Sequence, residues 1–218
     1  MNVHSEAEMP VTAAPAHGLD VRSHEILGLV RRAFAEKGFD GASMQDLARA
    51  AGMSVGNFYR YFPSKAAIVE AMCDLDLHEM EQDFSAIRTS GDPMTAIRAK
   101  MMEHIGGACQ DDGQLWAEIT AAAMRKPEVG LASRAMEETI IANLITVFAG
   151  VTGRTLEEAA QRYRAQGQLL VMLVKAATIR SSQYGGGDAD LTALVGRIID
   201  QVLAEISTDK ISNDKQEG

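Results

Sequence analysis

Apolar residues along this chain recur every three or four positions, as they do on one face of an α-helix, and no stretch alternates with the two-residue period of a strand. Such stripes run from about Asp20 to Gly38 and from Pro63 to about Ile87. Further stripes follow, and helix-start and helix-end residues separate them. These are Asp92 with Pro93, Pro127, Gly150, Thr155 with Glu158, Gly185 to Gly187, and Asp188. The pattern predicts an all-α protein of about nine helices.

The stretch from Ser43 to Lys65, SMQDLARAAGMSVGNFYRYFPSK, predicts a helix, a tight turn and a second helix. Ser43 can cap the first helix, and Asp46 three residues later completes the pattern of a capping box. Gly52 can leave the helix with a positive φ, and Ser54 is placed to cap the next one. We therefore expect a helix-turn-helix.

The second helix of this motif, roughly Val55 to Phe62, is too short to be stable in isolation and must be held by its neighbours. Phe58 and Phe62 lie four residues apart and can form its buried face, with Val55 near them. The other side chains are left for the outer and flanking faces, where they can donate to phosphates and base edges. They belong to Gly56, Asn57, Tyr59, Arg60 and Tyr61, and the glycine permits close approach of a backbone.

The charge distribution is uneven along the chain. The formal net charge is -9 and the pI about 5.0. Residues 20–70 nevertheless carry seven Lys or Arg against six Asp or Glu, so the acid lies outside the motif. A weakly basic surface beside an acidic body suits site-specific contact by a few residues better than broad electrostatic wrapping.

Residues 38–72, GFDGASMQDLARAAGMSVGNFYRYFPSKAAIVEAM, resemble the DNA-binding domain of the TetR family of transcriptional regulators. The resemblance rests on the Gly-Phe before the motif, the Leu-Ala-x-x-Ala-Gly of the turn, and Tyr-x-x-Phe followed by Ser-Lys. A later stretch, LWAEITAAAMRKPEVG, is similar, more loosely, to the ligand domains of this family. The resemblance implies a three-helix DNA-binding domain followed by a larger helical domain for ligand binding and dimerisation.

The resemblance also implies roles for single residues. Ser43 and Tyr59 occupy positions that commonly touch phosphate, and Lys65 occupies that of the family's phosphate-binding lysine. Val55, Gly56 and Asn57 begin the recognition helix, where base edges are read. Tyr61 stands where the family often has histidine, and Arg60 either reaches DNA or faces solvent. The predicted DNA-contacting residues are Ser43, Ser54, Val55, Gly56, Asn57, Tyr59, Arg60, Tyr61 and Lys65.

Four segments are predicted along the chain. Residues 1–19 form a mobile arm, residues 20–66 the DNA-binding domain, residues 67–206 the ligand-binding and dimerisation domain, and residues 207–218 a mobile tail. One long helix after Lys65 connects the two domains and could transmit a movement of the body to the recognition helix.

The last two helices are apolar over broad faces, and the resemblance implies that two such helices from each chain form a four-helix dimer interface. The alternative is that they close their own domain and the protein is a monomer. A dimer would place two recognition helices on half-sites about 34–36 Å apart, so the DNA target is expected to be palindromic. The predicted interface residues are Leu169, Met172, Leu173, Leu194, Ile198, Ile199 and Val202.

Regulators of this type usually bind a small apolar or amphipathic molecule among the central helices, so the resemblance implies a small-molecule effector. The candidate lining residues are Met101, Met102, Ile105, Cys109, Trp116, Met124, Phe148 and Tyr163, with His104 and Glu118 as the nearest polar groups. The alternative for each is an ordinary place in the core, since Met and Trp at helical spacing usually pack there.

Other classes of function find less support. Cys73 and Cys109 are the only cysteines and are expected to be buried thiols, with a redox sensor as the alternative. The histidines show no metal spacing, and phosphate-loop, His-Glu-x-x-His and nucleophile-elbow motifs are lacking, so no cofactor, metal or catalytic residue is expected. No secretory segment or long apolar run is found, which favours a cytoplasmic protein without a membrane partner. A helical interaction module, a DNA binder without a ligand and a helical enzyme remain as alternatives.

Overall fold

The computed structural model describes residues 21–106, 110–184 and 188–214, and within these ranges it is all-α with nine helices, as predicted. The helices are α1 Val21–Lys37, α2 Met44–Ala50, α3 Val55–Tyr61, α4 Lys65–Thr89, α5 Pro93–Gly106, α6 Gln110–Ala123, α7 Pro127–Thr152, α8 Leu156–Gln183 and α9 Ala189–Asp214. The predicted arm, residues 1–19, lies outside the described residues, as do residues 215–218 of the predicted tail. The start of that tail, from Ser207 to Asp214, continues α9.

Local sequence signals set the ends of the short N-terminal helices. The Ser43 hydroxyl accepts from the Asp46 N–H at 3.1 Å, and the Asp46 carboxylate accepts from the Ser43 N–H, also at 3.1 Å. Gly52 has a φ of +64°, which a residue without a side chain adopts at little cost. The predicted capping box and turn are therefore confirmed.

Phe58 and Phe62 hold α3 against its neighbours. Both are buried, and their ring centroids lie 5.5 Å apart. Val55, expected near these rings, is instead 39% exposed because it is the first residue of α3, where the helix meets solvent. The buried face of α3 thus consists of the two phenylalanines, and Val55 belongs to its outer surface.

The N-terminal core, defined as the buried cluster around α1 to α3, continues well beyond these helices. It includes Ile68, Met72 and Leu75 of α4, together with Leu115 and Ile119 of α6. Residues 20–66 alone do not close an apolar core, because residues of α4 and α6 complete it. The cluster therefore extends past residue 66, where the DNA-binding domain was predicted to end. The first three helices therefore depend on α4 and α6 for their packing.

The body core is the second buried cluster, and it joins the end of α4 to α5, α7, α8 and α9. Phe148 and Leu170 are fully buried in it, and the ring of Tyr163 meets that of Phe148 edge-on with centroids 6.2 Å apart. Pro127–Thr152 is, among the described helices, the one long and apolar enough to cross a membrane. Its apolar residues are shared between the two cores, which accounts for its composition.

A cluster of polar side chains fixes the corner between α7 and α8. Gly153 ends α7 with a φ of +71°, and Thr155 opens α8 through a capping box with Glu158. Asp209, near the end of α9, accepts from Arg154 at 3.2 Å and also from Tyr163 and Arg162. These donors hold the pKa of the Asp209 carboxyl below its usual range, chiefly through Arg162, and they attach the end of α9 to the corner.

The structure corrects two residues of the predicted dimer interface. Ile199 is fully buried and Val202 nearly so, because this stripe of α9 packs into the body core. Leu169, Leu173 and Ile198 are half-buried, whereas Met172 is 60% exposed and Leu194 44% exposed. The five residues other than Ile199 and Val202 therefore retain surface that a partner could cover.

Replacing Ile199 by Ala should therefore destabilise the folded chain itself, by about 2–5 kcal/mol, because it removes a fully buried side chain and leaves a cavity. Leu131→Ala is the matched control, since Leu131 is 63% exposed and its truncation should change stability by no more than about 0.5 kcal/mol. Chemical denaturation of both variants measures the difference. Equal stabilities would contradict the placement of α9.

Candidate nucleic-acid interface

The outer face of α3 presents most of the predicted DNA-contacting residues to solvent. Ser54 caps the helix, its hydroxyl accepting from the Asn57 N–H at 3.4 Å. The exposed fractions are 39% for Val55, 46% for Tyr59 and 42% for Tyr61. Gly56, Asn57 and Arg60 are exposed as well. The face therefore combines an apolar side chain, an amide, two phenols and a guanidinium, which are suited to base edges and phosphates.

The Ser43 hydroxyl makes its hydrogen bonds to Asp46, within the first turn of α2. Its hydroxyl donates to the Asp46 carboxylate and accepts the Asp46 N–H, so its one proton is already used. Lys37 donates to the same carboxylate at 2.7 Å, and with Ser43 it holds the pKa of Asp46 well below its usual range. The structure therefore gives Ser43 a capping role, and the phosphate contact implied for it would require this hydroxyl to turn.

Lys65 has a structural role that the sequence did not reveal. Its ammonium donates to three carbonyls of the segment between α1 and α2, loop 38–42: those of Phe39 at 2.7 Å, Ala42 at 3.1 Å and Asp40 at 3.3 Å. It also lies 5.0 Å from the centroid of the Phe39 ring. Partial burial lowers the pKa of Lys65. An ammonium has three donors, so none is left for phosphate in this arrangement.

Loop 38–42 is also held from the other side, by α6. The Glu118 carboxylate accepts from the Phe39 N–H at 3.0 Å, and the Gln114 amide donates to the Ala35 carbonyl at 2.8 Å. Because the Ala35 carbonyl is close to the end of α1, these two contacts attach α6 to both the helix and the loop. We call them the α6 clasp.

The residues after α6 add charge to the same loop. Arg125 donates to the Asp40 carboxylate at 2.8 Å, and the Lys126 ammonium lies 3.1 Å from it. Arg125, followed by Lys126, holds the pKa of Asp40 below its usual range. These ion pairs are largely exposed and therefore contribute less than the α6 clasp to holding the loop.

The predicted polar ligand groups lie elsewhere than expected. Glu118 is part of the α6 clasp and is directed at the Phe39 N–H rather than into the body core. His104 is exposed near the end of α5, with its Nδ1 3.2 Å from the Lys100 carbonyl oxygen. Both predictions need correction, because Glu118 binds the backbone of loop 38–42 and His104 is exposed to solvent.

The predicted ligand-lining residues do not gather in one place. Met101, Met102, Ile105, Phe148 and Tyr163 pack in or against the body core, and the Tyr163 hydroxyl is engaged by Asp209 and Arg154. Trp116 packs against the N-terminal core instead. Met124 is 86% exposed at the end of α6, and Cys109 lies outside the described residues. The set therefore needs correction as a single pocket, because Trp116 packs against a different core from the other residues and Met124 is exposed to solvent.

Cys73 is buried in the N-terminal core. Burial, reinforced by the nearby Asp76 and Asp74 carboxylates, raises the pKa of its thiol to about 12. The thiol stays protonated at neutral pH, as a packed and unreactive cysteine does. Within the described ranges, no group of three His, Cys, Asp or Glu side chains could hold a metal ion.

One exposed cation was not singled out from the sequence. Arg49 lies in the last turn of α2, and its side chain is 77% exposed. Its guanidinium lies 3.6 Å from the Asp46 carboxylate, which is too long for a strong ion pair. The signal in the sequence that could have identified Arg49 is a basic residue in the last turn of the helix before the recognition helix.

Known proteins match this chain first in the helix-turn-helix. The family model of bacterial regulatory proteins, tetR family, matches residues 26–72. The HTH-type transcriptional regulator BetI of Stenotrophomonas maltophilia is 26% identical over 182 residues, covering 79% of this chain and 87% of that protein. The HTH-type transcriptional regulator EthR of Mycolicibacterium smegmatis is 37% identical over 81 residues, covering 36% of this chain and 37% of its own length.

Solved structures extend the likeness of the fold over most of the chain. Salmonella enterica GusR superposes with a TM-score of 0.62 at 22% identity, covering 84% of this chain and 95% of its own. A TetR transcriptional regulator from Legionella pneumophila gives a TM-score of 0.65 at 17% identity, covering 88% and 98%.

The fold, the capped helix-turn-helix and its exposed outer face define a DNA-binding transcriptional regulator. The matched family points to regulation of transcription rather than to an enzyme. The part of the chain that carries this motif, residues 26–72, matches the tetR family of bacterial regulatory proteins.

Asn57→Ala should reduce binding to the specific DNA site by about 1–3 kcal/mol and leave binding to random DNA nearly unchanged, because an exposed amide on α3 contributes to base readout rather than to charge. Titration of both DNAs at one salt concentration measures the ratio. Gln82→Ala, which removes an exposed amide from α4, should leave both affinities unchanged. A parallel loss on both DNAs would contradict a base contact.

Proposed function

We propose that this protein is a homodimeric repressor that binds a palindromic operator and leaves it when a small molecule binds to the body. The outer face of α3 carries the proposal, since it exposes Asn57, Tyr59 and Arg60 while Phe58 anchors the helix from behind. In this proposal residues 20–66 form the DNA-binding domain and residues 67–206 the ligand-binding and dimerisation domain, in the cytoplasm where its DNA lies.

The residues divide by chemistry between the two kinds of DNA contact. Val55, Gly56 and Asn57 start α3 and face outward, which suits them to base edges in the major groove. The side chains of Tyr59, Arg60 and Tyr61 can donate to the phosphates that flank the major groove. Lys65, whose donors hold loop 38–42, contributes through its positive charge and through the position it gives to the start of α4.

Dimerisation follows from what one α3 can read. A seven-residue helix contacts few base pairs, and a second copy on a two-fold axis doubles the site and fixes the spacing of its halves. The outer side of α8 and α9 supports this arrangement, because Met172 and Leu194 remain exposed there beside the half-buried Leu169, Leu173 and Ile198.

Release by a small molecule requires a physical connection from the body to α3, and the α6 clasp supports one. Glu118 and Gln114 attach α6 to the loop and helix on which α2 and α3 pack, while the rest of α6 lies against α7 and α8. A shift of α6 relative to the body would thus displace the recognition helices of the two subunits and change their separation.

Met172→Glu should convert the dimer to monomers, because a carboxylate on the outer face of α8 would be buried without a partner in the interface. Sedimentation measures the mass.

In a selection of DNA fragments from the source genome, the wild-type protein should retain palindromic sites with half-sites about 34–36 Å apart, and the monomer should lose them.

Leu156→Glu is the control for this experiment. Leu156 is 58% exposed on the same helix. It lies on nearly the opposite side from Met172, since a separation of 16 residues, 156 to 172, amounts to about four and a half helical turns. It should leave the mass and the selected sites unchanged. Retention of non-palindromic fragments by the wild-type dimer would contradict the proposed operator.

Glu118→Ala should loosen the position of α3 and make the protein more tolerant of a one-base-pair insertion between the half-sites. The ratio of affinities for the two spacings should fall by roughly 2- to 30-fold, the size of coupling that packed networks carry. Glu118→Gln retains an oxygen acceptor for the Phe39 N–H and should preserve the ratio. An unchanged ratio in the alanine variant would show that the α6 clasp does not set the spacing.

A further inference from the structure

A cleft of about 300 Å³ opens where the end of α5, the last turns of α8 and the first turns of α9 meet. Its floor is apolar and includes Ile105 and Val195, both buried, with Leu191 half-buried beside them. Its rim is polar and includes Arg180, Tyr184 and Thr192. An apolar floor with a few polar groups at its edge is the usual composition of a small-molecule site.

Arg180 is the most informative group on this rim. Its guanidinium carbon lies 4.6 Å from the centroid of the Tyr184 ring, and among the described residues no carboxylate lies within ion-pair distance of it. The Asp188 carboxylate, also on the rim, accepts from the Asp190 and Leu191 N–H groups at 3.1 Å each and so caps α9. A guanidinium positioned by an aromatic ring at the edge of an apolar cleft is prepared to bind an anion.

Several other cations of this acidic body are held in ion pairs. Arg98 pairs with Asp200, Arg164 with Glu138 at 2.6 Å, and Lys175 with Glu137 at 2.6 Å. Arg180 has no such partner among the described residues. The side chain faces the cleft instead.

We propose that this cleft binds a small organic monocarboxylate with an apolar body, and that it is the effector site; the second part rests on the proposed function. The carboxylate would lie against the Arg180 guanidinium, whose forked N–H donors match it in geometry. The Thr192 hydroxyl can add a donor, and the apolar body would cover Ile105 and Val195. At roughly 30 Å³ for each water-sized group, the volume admits about ten heavy atoms.

The cleft is connected to the α6 clasp through one close backbone contact. Gly113 of α6 lies so near α8 that a Cβ built on it would be 2.0 Å from the Ser182 Oγ and 2.6 Å from the Thr178 carbonyl oxygen. The next residue, Gln114, donates to the Ala35 carbonyl of α1. An occupant that displaces the α8 wall of the cleft therefore acts on α6 at the residue adjoining the clasp.

The test uses three probes of nearly equal size, octanoate, octanamide and octylamine, with binding to the full chain measured by calorimetry in the absence of DNA. Octanoate should bind wild type at least about tenfold more tightly than the neutral amide or the cation, as expected for a charge-assisted contact. Arg180→Gln should remove this preference. Arg134→Gln, an exposed arginine of α7 outside the cleft, should retain it.

A second variant tests the floor separately from the charge. Ala177→Phe fills the cleft while leaving Arg180 in place, and it should abolish octanoate binding. Failure of wild type to bind octanoate, equal binding by Arg180→Gln, or retained binding by Ala177→Phe would each overturn the site.

The assignment as effector site is tested with the operator present. Octanoate should release wild type from its operator and should fail to release Arg180→Gln. Binding through Arg180 with an undisturbed operator complex would overturn the effector assignment alone. Loss of DNA binding by wild type without any ligand would instead overturn the proposed function, and the calorimetric result for the cleft would stand.

Discussion

Loop 38–42 is the point on which the arrangement of this protein depends, because its backbone is held from two directions at once. The Lys65 ammonium takes three of its carbonyls, and the Glu118 carboxylate takes the Phe39 N–H. The Phe39 ring stacks on Phe34 of α1 with centroids 5.4 Å apart, and the Lys65 ammonium lies 5.0 Å from its centroid. A short loop with few apolar residues is thereby made rigid by charge-assisted hydrogen bonds to its main chain.

This arrangement explains how a seven-residue recognition helix can be placed accurately. The helix cannot be stable alone, so its orientation comes from Phe58 and Phe62, which are buried in the N-terminal core, and from its packing against α2. Lys65 begins α4 and binds loop 38–42, which leads into α2. The two helices of the motif and the helix that follows are consequently fixed to one loop, and α6 reaches that same loop from the body.

Much of the fold could be predicted because its signals are local. The Ser43–Asp46 and Thr155–Glu158 capping boxes, the positive φ at Gly52 and the proline that opens α5 each involve residues no more than a few positions apart. The outward direction of Asn57 and Tyr59 follows from the helical spacing of the two phenylalanines. The division of the α9 stripe could not be read in this way, because Ile199 and Leu194 are equally apolar and only the packing of α5 and α7 against α9 separates them.

The sequence by itself determined the helices, most of their ends, the motif and most of the face of α3 that meets solvent, since these are set by the chemistry of neighbouring residues. Only the tertiary structure decided the partners of the long polar side chains. Glu118 and Phe39 are 79 positions apart, and Lys65 and Phe39 are 26 apart, so no periodicity along the chain joins them. The same reason applies to the cleft at Arg180, where Ile105 of α5 meets residues of α8 and α9 although α6 and α7 lie between them in the chain. Propensity and spacing act over one or two turns, whereas these contacts exist only after the helices have packed.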